Sequence, residues 1–169
     1  LGKGSFGKVW LIKRNEIQYA LKNINFESTF HFTYSIEYKT LMNESTAYLG
    51  MERHINLVTF ISFVKDKHDR IYAIMEYVPD GKLSDLINNK GIQDPKMILD
   101  LAIDIASGLS YIHSCCILHR DLNPNNILIE KVPNEYERKY LAKVSDFGLS
   151  KIRSNTIKGI STRKNVATS

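Results

Sequence analysis

Apolar positions fall in short β-like runs through the first half of the chain and change to a helical period in the second. Val9-Trp10-Leu11-Ile12 follows a glycine-rich turn, so residues 1–13 read as strand, turn, strand. Residues 18–25 read as a further strand. A helix is expected at about 35–49, then strands at about 57–64 and 70–77, with the polar turn Lys65-Asp66-Lys67-His68-Asp69 between them. Pro79-Asp80-Gly81 marks another turn, because Pro presets φ and Gly accepts a positive one. The clearest helix covers 95–113. Asp94 is its N-cap, Pro95 its first residue, and Ile98, Leu101, Ala102, Ile105, Ala106, Leu109 and Ile112 recur at its spacing. Two short strands, 126–129 and 142–145, flank a loop, and no periodicity remains after Ser150. Strands first, then a helix and mixed elements, predict an α+β, two-lobed fold rather than alternating βαβ units.

Composition narrows the class. The 169 residues suit one domain or part of a larger one, and 43% hydrophobic with 24% charged residues is enough for a core. Cys115 and Cys116 are adjacent, which builds neither a disulfide framework nor a C-x-x-C metal pair. A reducing, cytoplasmic setting is therefore expected. No apolar run approaches the ~18 residues of a membrane span. The chain opens Leu1-Gly2 without Met or a signal pattern, so residues are expected to precede it. A net charge of +5 raises nucleic-acid binding. The cations are scattered, however, and the densest stretch, 151–164, reads as a solvated basic loop, so no nucleic-acid partner is expected.

Four segments carry candidate chemistry. Gly2-Lys3-Gly4-Ser5-Phe6-Gly7-Lys8-Val9 fits a dinucleotide fingerprint, the start of a P-loop, or a glycine flap between strands. The first two need a helix directly after the glycines, and a P-loop needs Ser or Thr where Val9 stands. A flap lets the backbone approach phosphates closely. Lys22 lies within an apolar strand and becomes a candidate phosphate-binding cation beside that flap. His119-Arg120-Asp121-Leu122-Asn123-Pro124-Asn125-Asn126 and Asp146-Phe147-Gly148 are the specific signals.

With those motifs the chain resembles the eukaryotic protein kinase family. Leu109 to Ser114 leading into H-R-D, and Met75-Glu76-Tyr77-Val78 with Gly81 and Leu83, look like its tyrosine-kinase-like and tyrosine-kinase branches. The resemblance implies ATP and Mg²⁺ as cofactors, a protein hydroxyl as acceptor, a small lobe and hinge over 1–78, and the start of a helical lobe over 79–169. The small lobe would hold a five-stranded sheet and one helix. Gly2, Gly4 and Gly7 would cover the phosphates. Lys22 would hold them and pair with Glu44, or less well Glu37. Asp121 would take or orient the substrate proton, and Asn126 and Asp146 would hold the metal. Leu1, Val9, Ala20 and Leu128 would sandwich adenine, with Met75 as gatekeeper. Backbone groups of Glu76 and Val78 would meet the ring's edge, and Asp85 the ribose. His119 and Phe147 would pack as spine residues.

Departures from the family pattern matter as well. Asn123 and Asn125 stand where the family usually has Lys or Arg near the γ-phosphate. Loss of such a charge is worth about 2–4 kcal/mol in a transition state, although LIM-domain kinases also resemble this chain in having Asn there. A nucleotide-binding pseudokinase or scaffold is therefore the alternative reading. Loop 131–140 is longer than usual and reads as a surface insertion without catalytic part. No A-P-E segment follows Gly148. The piece is thus expected to be truncated, with helix 95–113 short of cover, unstable alone and catalytically inert. Arg120 would pair with a phosphate on one of Ser154, Thr156, Ser161, Thr162, Thr168 or Ser169. Substrate hydroxyl type and oligomeric state are not legible.

Overall fold

The first apolar run folds as an antiparallel meander, and its glycines join strands rather than open a helix. In the computed structural model, residues 2–4, 7–24, 51–89, 92, 94–133 and 138–147 are described. Strand β1 (Gly2–Gly4) pairs with β2 (Gly7–Arg14), Gly4 opposite Gly7. Strand β3 (Ile17–Ile24) follows a two-residue turn, Asn15-Glu16, in which both φ values are positive, 48° and 65°. That left-handed pair matches the twist of the flanking strands. With β4 (Phe60–Lys65) and β5 (Ile71–Glu76) the sheet has five strands in the order β1-β2-β3-β5-β4. Cross-strand register puts Val9, Lys22 and Ala73 in one row and Leu11, Ala20 and Met75 in the next, all on one face. Trp10 meets Tyr72 edge-on at 5.9 Å on the other.

Strand β4 starts at Phe60, three residues later than 57, because the preceding backbone is engaged elsewhere. Leu57 bridges Val144, and Val58 N–H donates to Val144 O at 2.9 Å. Between β4 and β5, Asp66 Oδ1 accepts from the N–H groups of His68 and Arg70, at 2.8 and 3.0 Å, and its other oxygen from the Arg70 guanidinium at 2.7 Å. Desolvation is the largest single influence on this carboxyl and pushes it up. The Arg70 side chain, the two N–H groups and the Arg70 charge outweigh it and bring the pKa to about 2.

The second part is helix and ribbon. A short helix, α1 (Leu83–Asn88), starts with Asp85 Oδ2 accepting from Lys82 N–H at 3.4 Å. Helix α2 (Pro95–Ser114) agrees with expectation, and Asp94 Oδ1 accepts from Lys96 N–H at 3.0 Å. Its buried line is Leu101, Asp104, Gly108 and Ile112. Ile98 is exposed, as are Ala102 and Ala106, so part of the expected apolar stripe faces outward. A Cβ on Gly108 would lie 2.6 Å from the Asn56 carbonyl oxygen, so the missing side chain is what lets α2 meet that backbone. The helix ends with Cys116 at φ 60°; Cys116 N–H donates to His113 O and Ile117 N–H to Ile112 O, both at 2.9 Å. This is a Schellman ending with cysteine where glycine is usual.

A 3₁₀ turn (Pro124–Asn126) then leads into β6 (Ile127–Lys131), which pairs with β7 (Tyr140–Val144). Asn126 thus belongs to the turn, not to the strand expected over 126–129. The core gathers Leu57, Leu101, Ile112, Ile117, Ile127, Ile129, Ala142, Val144 and Phe147. Loop 131–140 is more than a surface insertion. Arg138 is drawn onto the buried carboxylate of Asp104, which also accepts from Ala142 N–H at 2.8 Å. The helix expected at 35–49 and the residues beyond Phe147 lie outside the described residues.

Candidate active site

The two specific motifs flank the β6–β7 ribbon and are stitched together by hydrogen bonds. His119 is buried, 3% exposed, and its Nε2 lies 2.9 Å from Ser145 O. A carbonyl can only accept, so Nε2 carries the proton, and Nδ1 accepts from Asp121 N–H at 3.3 Å. Ser145 N–H and Oγ both donate to Asn126 O, at 2.8 and 3.0 Å. His119 is therefore a fastener between the motifs, as expected, and buried Phe147 packs into the core cluster.

Asp121 is held from two sides. Asn126 Nδ2 donates to its Oδ2 at 2.9 Å and to its main-chain O at 2.7 Å. Asn123 Nδ2 donates to the same main-chain O at 3.0 Å and reaches Oδ1 at 3.4 Å. Asn123 Oδ1 meanwhile accepts from Asn125 N–H at 3.0 Å, capping the 3₁₀ turn. The sequence marks Asn123 only as a missing cation; the structure gives it a positive contact with the carboxylate.

Lys22 is brought to the second motif across a separation of 124 residues, its Nζ 2.6 Å from Asp146 Oδ2. Its side chain is 5% exposed and that of Asp146 16%. An ion pair so poorly hydrated is strongly destabilised when one partner is removed. Asp146 itself has φ 64° and Arg120 φ 62°, two non-glycine residues in the left-handed region at the edges of the site. Each such residue costs about 1–2 kcal/mol, held here by the surrounding bonds.

The remaining expected residues are distributed as follows. Val9, Ala20, Lys22 and Met75 share one sheet face, and Leu128 is half-buried on β6. Val78 is buried at 7% exposure, two residues past the end of β5. The Glu76 N–H is taken by Thr59 O at 2.9 Å, and its side chain leaves the Met75 face for Thr59 N–H, 3.0 Å away, and for Lys143. Desolvation pushes the Glu76 carboxyl up, yet the bonds from Lys143 and Thr59 and the lysine's charge outweigh it and hold the carboxyl below the usual range. Lys143 responds oppositely: desolvation lowers it, but bonds to and charges on Glu76 and Glu130 leave it raised. Asp85 is engaged at the start of α1. Gly2, Gly4 and Gly7 lie on the paired strands β1 and β2. Leu1 and Glu44, with Glu37, lie outside the described residues.

Sequence reasoning missed Lys143. It reads Ala-Lys-Val inside an apolar strand, the same signal that singled out Lys22. Among the described residues no group of three or more His, Cys, Asp or Glu side chains forms a metal cluster, and no helix is long and apolar enough to cross a membrane.

The sequence model of the protein kinase domain matches residues 1–169, the whole chain. The chain belongs to the protein kinase domain family. It is 31% identical to myosin light chain kinase A of Dictyostelium discoideum over 93% of this chain and 50% of that protein. To a putative leucine-rich repeat receptor-like serine/threonine-protein kinase of Arabidopsis thaliana it is 36% identical over 94% of this chain and 17% of the other. To a tyrosine-protein kinase of Caenorhabditis elegans it is 34% identical, over 89% and 26%. The chain thus spans half or less of the length of these curated relatives. They cross the serine/threonine–tyrosine divide, so kinase-domain membership is established and the branch is not. A kinase domain in general uses ATP with a divalent cation and acts on protein, which agrees with an oxygen-rich site beside a buried lysine.

Proposed function

We propose that the protein carrying this domain is an active protein kinase that transfers the γ-phosphoryl group of ATP to a protein hydroxyl. The observation that carries the reading is the convergence of Lys22 on Asp146 at 2.6 Å, with Asn126 joined to Asp121 at 2.9 Å. Asp121 is the group that accepts or orients the substrate hydroxyl proton; two carboxamides fix its oxygens before substrate arrives. Lys22 supplies a buried cation for the α- and β-phosphates. Asn126 commits its Nδ2 to Asp121, which leaves its side-chain Oδ1, with the Asp146 carboxylate, as hard donors of the type Mg²⁺ takes. A Mg²⁺ held by these oxygens would neutralise charge on the transferring phosphoryl group. Val9, Ala20 and Leu128 wall the adenine, Met75 stands as gatekeeper, and Glu76 and Val78 meet the ring's edge through the backbone. Because Thr59 takes the Glu76 N–H, the group Glu76 offers is its carbonyl. By the family pattern Leu1, Gly2, Gly4, Gly7 and Glu44 are assigned to the nucleotide, and Asp85 to its ribose.

Met75-Glu76-Tyr77-Val78 and the approach to His119 support the tyrosine-kinase-like and tyrosine-kinase branches, and the serine/threonine-protein kinase among the relatives supports a Ser or Thr acceptor, with Tyr as the alternative. The exposed free thiols of Cys115 and Cys116 support a cytoplasmic setting. Phosphotransfer by the full-length protein tests the reading. Asp121→Asn is expected to lower kcat by about two to four orders of magnitude with Mg·ATP affinity kept. Nucleotide binding without Asp121-dependent transfer would instead establish the scaffold reading. Salt-sensitive duplex binding would establish the nucleic-acid one.

A further inference from the structure

Lys143 is buried, 9% exposed, and lies on β7 opposite Leu128 of β6. Its ammonium contacts Glu76 Oε1 and lies 3.1 Å from Glu130 Oε2. Glu76 is the last residue of β5 in the five-stranded sheet. Its other oxygen accepts from Thr59 N–H at 3.0 Å, while its own N–H donates to Thr59 O at 2.9 Å. Residues 56–59 are in turn bonded to β7, through Val144 N–H to Asn56 O at 2.8 Å and Val58 N–H to Val144 O at 2.9 Å. One ammonium therefore closes a ring: β7, residues 56–59, the end of β5, and β7 again.

The two sides of that ring carry different parts of the proposed nucleotide site. Glu76 stands two residues before Val78, where the adenine edge would bond. Lys143 stands three residues before Asp146 and beside the strand that leads from Asn126. A nucleotide reaching from the adenine edge to the metal oxygens must match the separation the ring fixes.

We propose that Lys143 is a positioning residue for the nucleotide: through Glu76 it sets the adenine-edge backbone at a fixed distance from Asn126 and Asp146. The proposal rests on the kinase reading. A pre-set separation removes an ordering cost from binding, so its loss weakens ATP more than it slows the transferred step.

The test uses the full-length protein with Lys143→Met, Glu76→Gln, the double variant and Lys143→Arg. Steady-state KM and kcat, Mg·ADP affinity by calorimetry and melting temperature are read for each. Lys143→Met is expected to raise KM for ATP about 5- to 20-fold with kcat within about 2-fold. The double variant is expected to be no worse than the weaker single, because the two residues act as one pair. Lys143→Arg is expected to restore KM to within about 3-fold, since it keeps the cation. Should Lys143→Met fail to fold because Glu76 is left bare, the double variant, which leaves no unpaired charge between them, carries the same comparison. Lower melting with unchanged KM and Mg·ADP affinity in the folded variants would overturn the proposal and leave Lys143 a structural residue. A wild type that binds no nucleotide overturns the kinase reading, and the proposal with it.

Discussion

Asn123 illustrates how much a residue's own contacts add to what it replaces. Counted against the family pattern it is a missing cation, which is how the sequence presents it. Placed in the structure it caps the 3₁₀ turn through Oδ1 and touches Asp121 through Nδ2. Both uses follow from a short carboxamide, which accepts and donates at once. Asn123→Ala is expected to cost about 1 kcal/mol of stability through the lost cap. Loss of the bond to Asp121 should lower kcat about 2- to 10-fold. Thermal melting and steady-state kinetics of the full-length protein check the two parts separately; unchanged kcat would remove Asn123 from the site. Lys22, Asp121, Asn126 and Asp146 were legible because their motifs fix type and spacing. Lys143 was not, because an isolated lysine in a strand has no spacing partner in the sequence. Its carboxylate partner on β5 stands 67 residues away.

Among the elements, α2 shows where periodicity stops being informative. Its start was legible from Asp94 and Pro95, but its buried line includes Asp104 and Gly108, residues an apolar count passes over. Asp104 is buried because Arg138 and the Ala142 N–H meet it, and Arg138 lies in a loop with no period to reveal it. Gly108 is buried because the Asn56 backbone occupies the place of a side chain. Gly108→Ala is expected to destabilise by about 1–3 kcal/mol through overpacking, despite the roughly 0.5–1 kcal/mol that alanine offers a helix. Denaturant melting decides it, and a stabilised variant would mean the carbonyl moves aside. At the other end, Cys116→Gly is expected to stabilise by about 1 kcal/mol, because glycine adopts φ 60° without the left-handed penalty. The same melts measure it. Strand β4 was placed three residues early for a related reason: Leu57 and Val58 are apolar like a strand, but their partner is β7. Pairing partners are a property of the fold, not of the local pattern.

For the molecule as a whole, the described charges set a pH window. Asp66 and Glu76 have folded pKa values below their ordinary ones. Their contributions are therefore complete well above about pH 4.3, where both carboxyls are ionised even in the unfolded chain. They are lost as pH falls through the lowered folded values, to about 2 for Asp66. Lys143 is raised, so its contribution is complete below about pH 10.4, and is lost as pH climbs through the raised value. These three groups are expected to add no slope to the melting temperature between these limits and to lower it beyond them. Glu76→Gln with Lys143→Met should shrink both slopes, and slopes unchanged in that variant would assign them to other groups. The fold class and the strand segments were legible because strand runs are local, whereas the sheet order β1-β2-β3-β5-β4 came only from the structure. The joining of sheet to ribbon was not legible either, since it rests on residues 56–59, Glu76 and Lys143. The pairing of Arg138 with Asp104 has a further consequence for how this domain can vary. Val132 N–H also donates to Lys139 O at 3.1 Å, so both feet of the β6–β7 connection are tethered. Chain added between such tethers costs only loop-closure entropy, about 0.6 kcal/mol for each doubling of length. The connection is thus a place where this domain can gain or shed residues while Asn126 and Asp146, at the far end of the ribbon, keep their spacing.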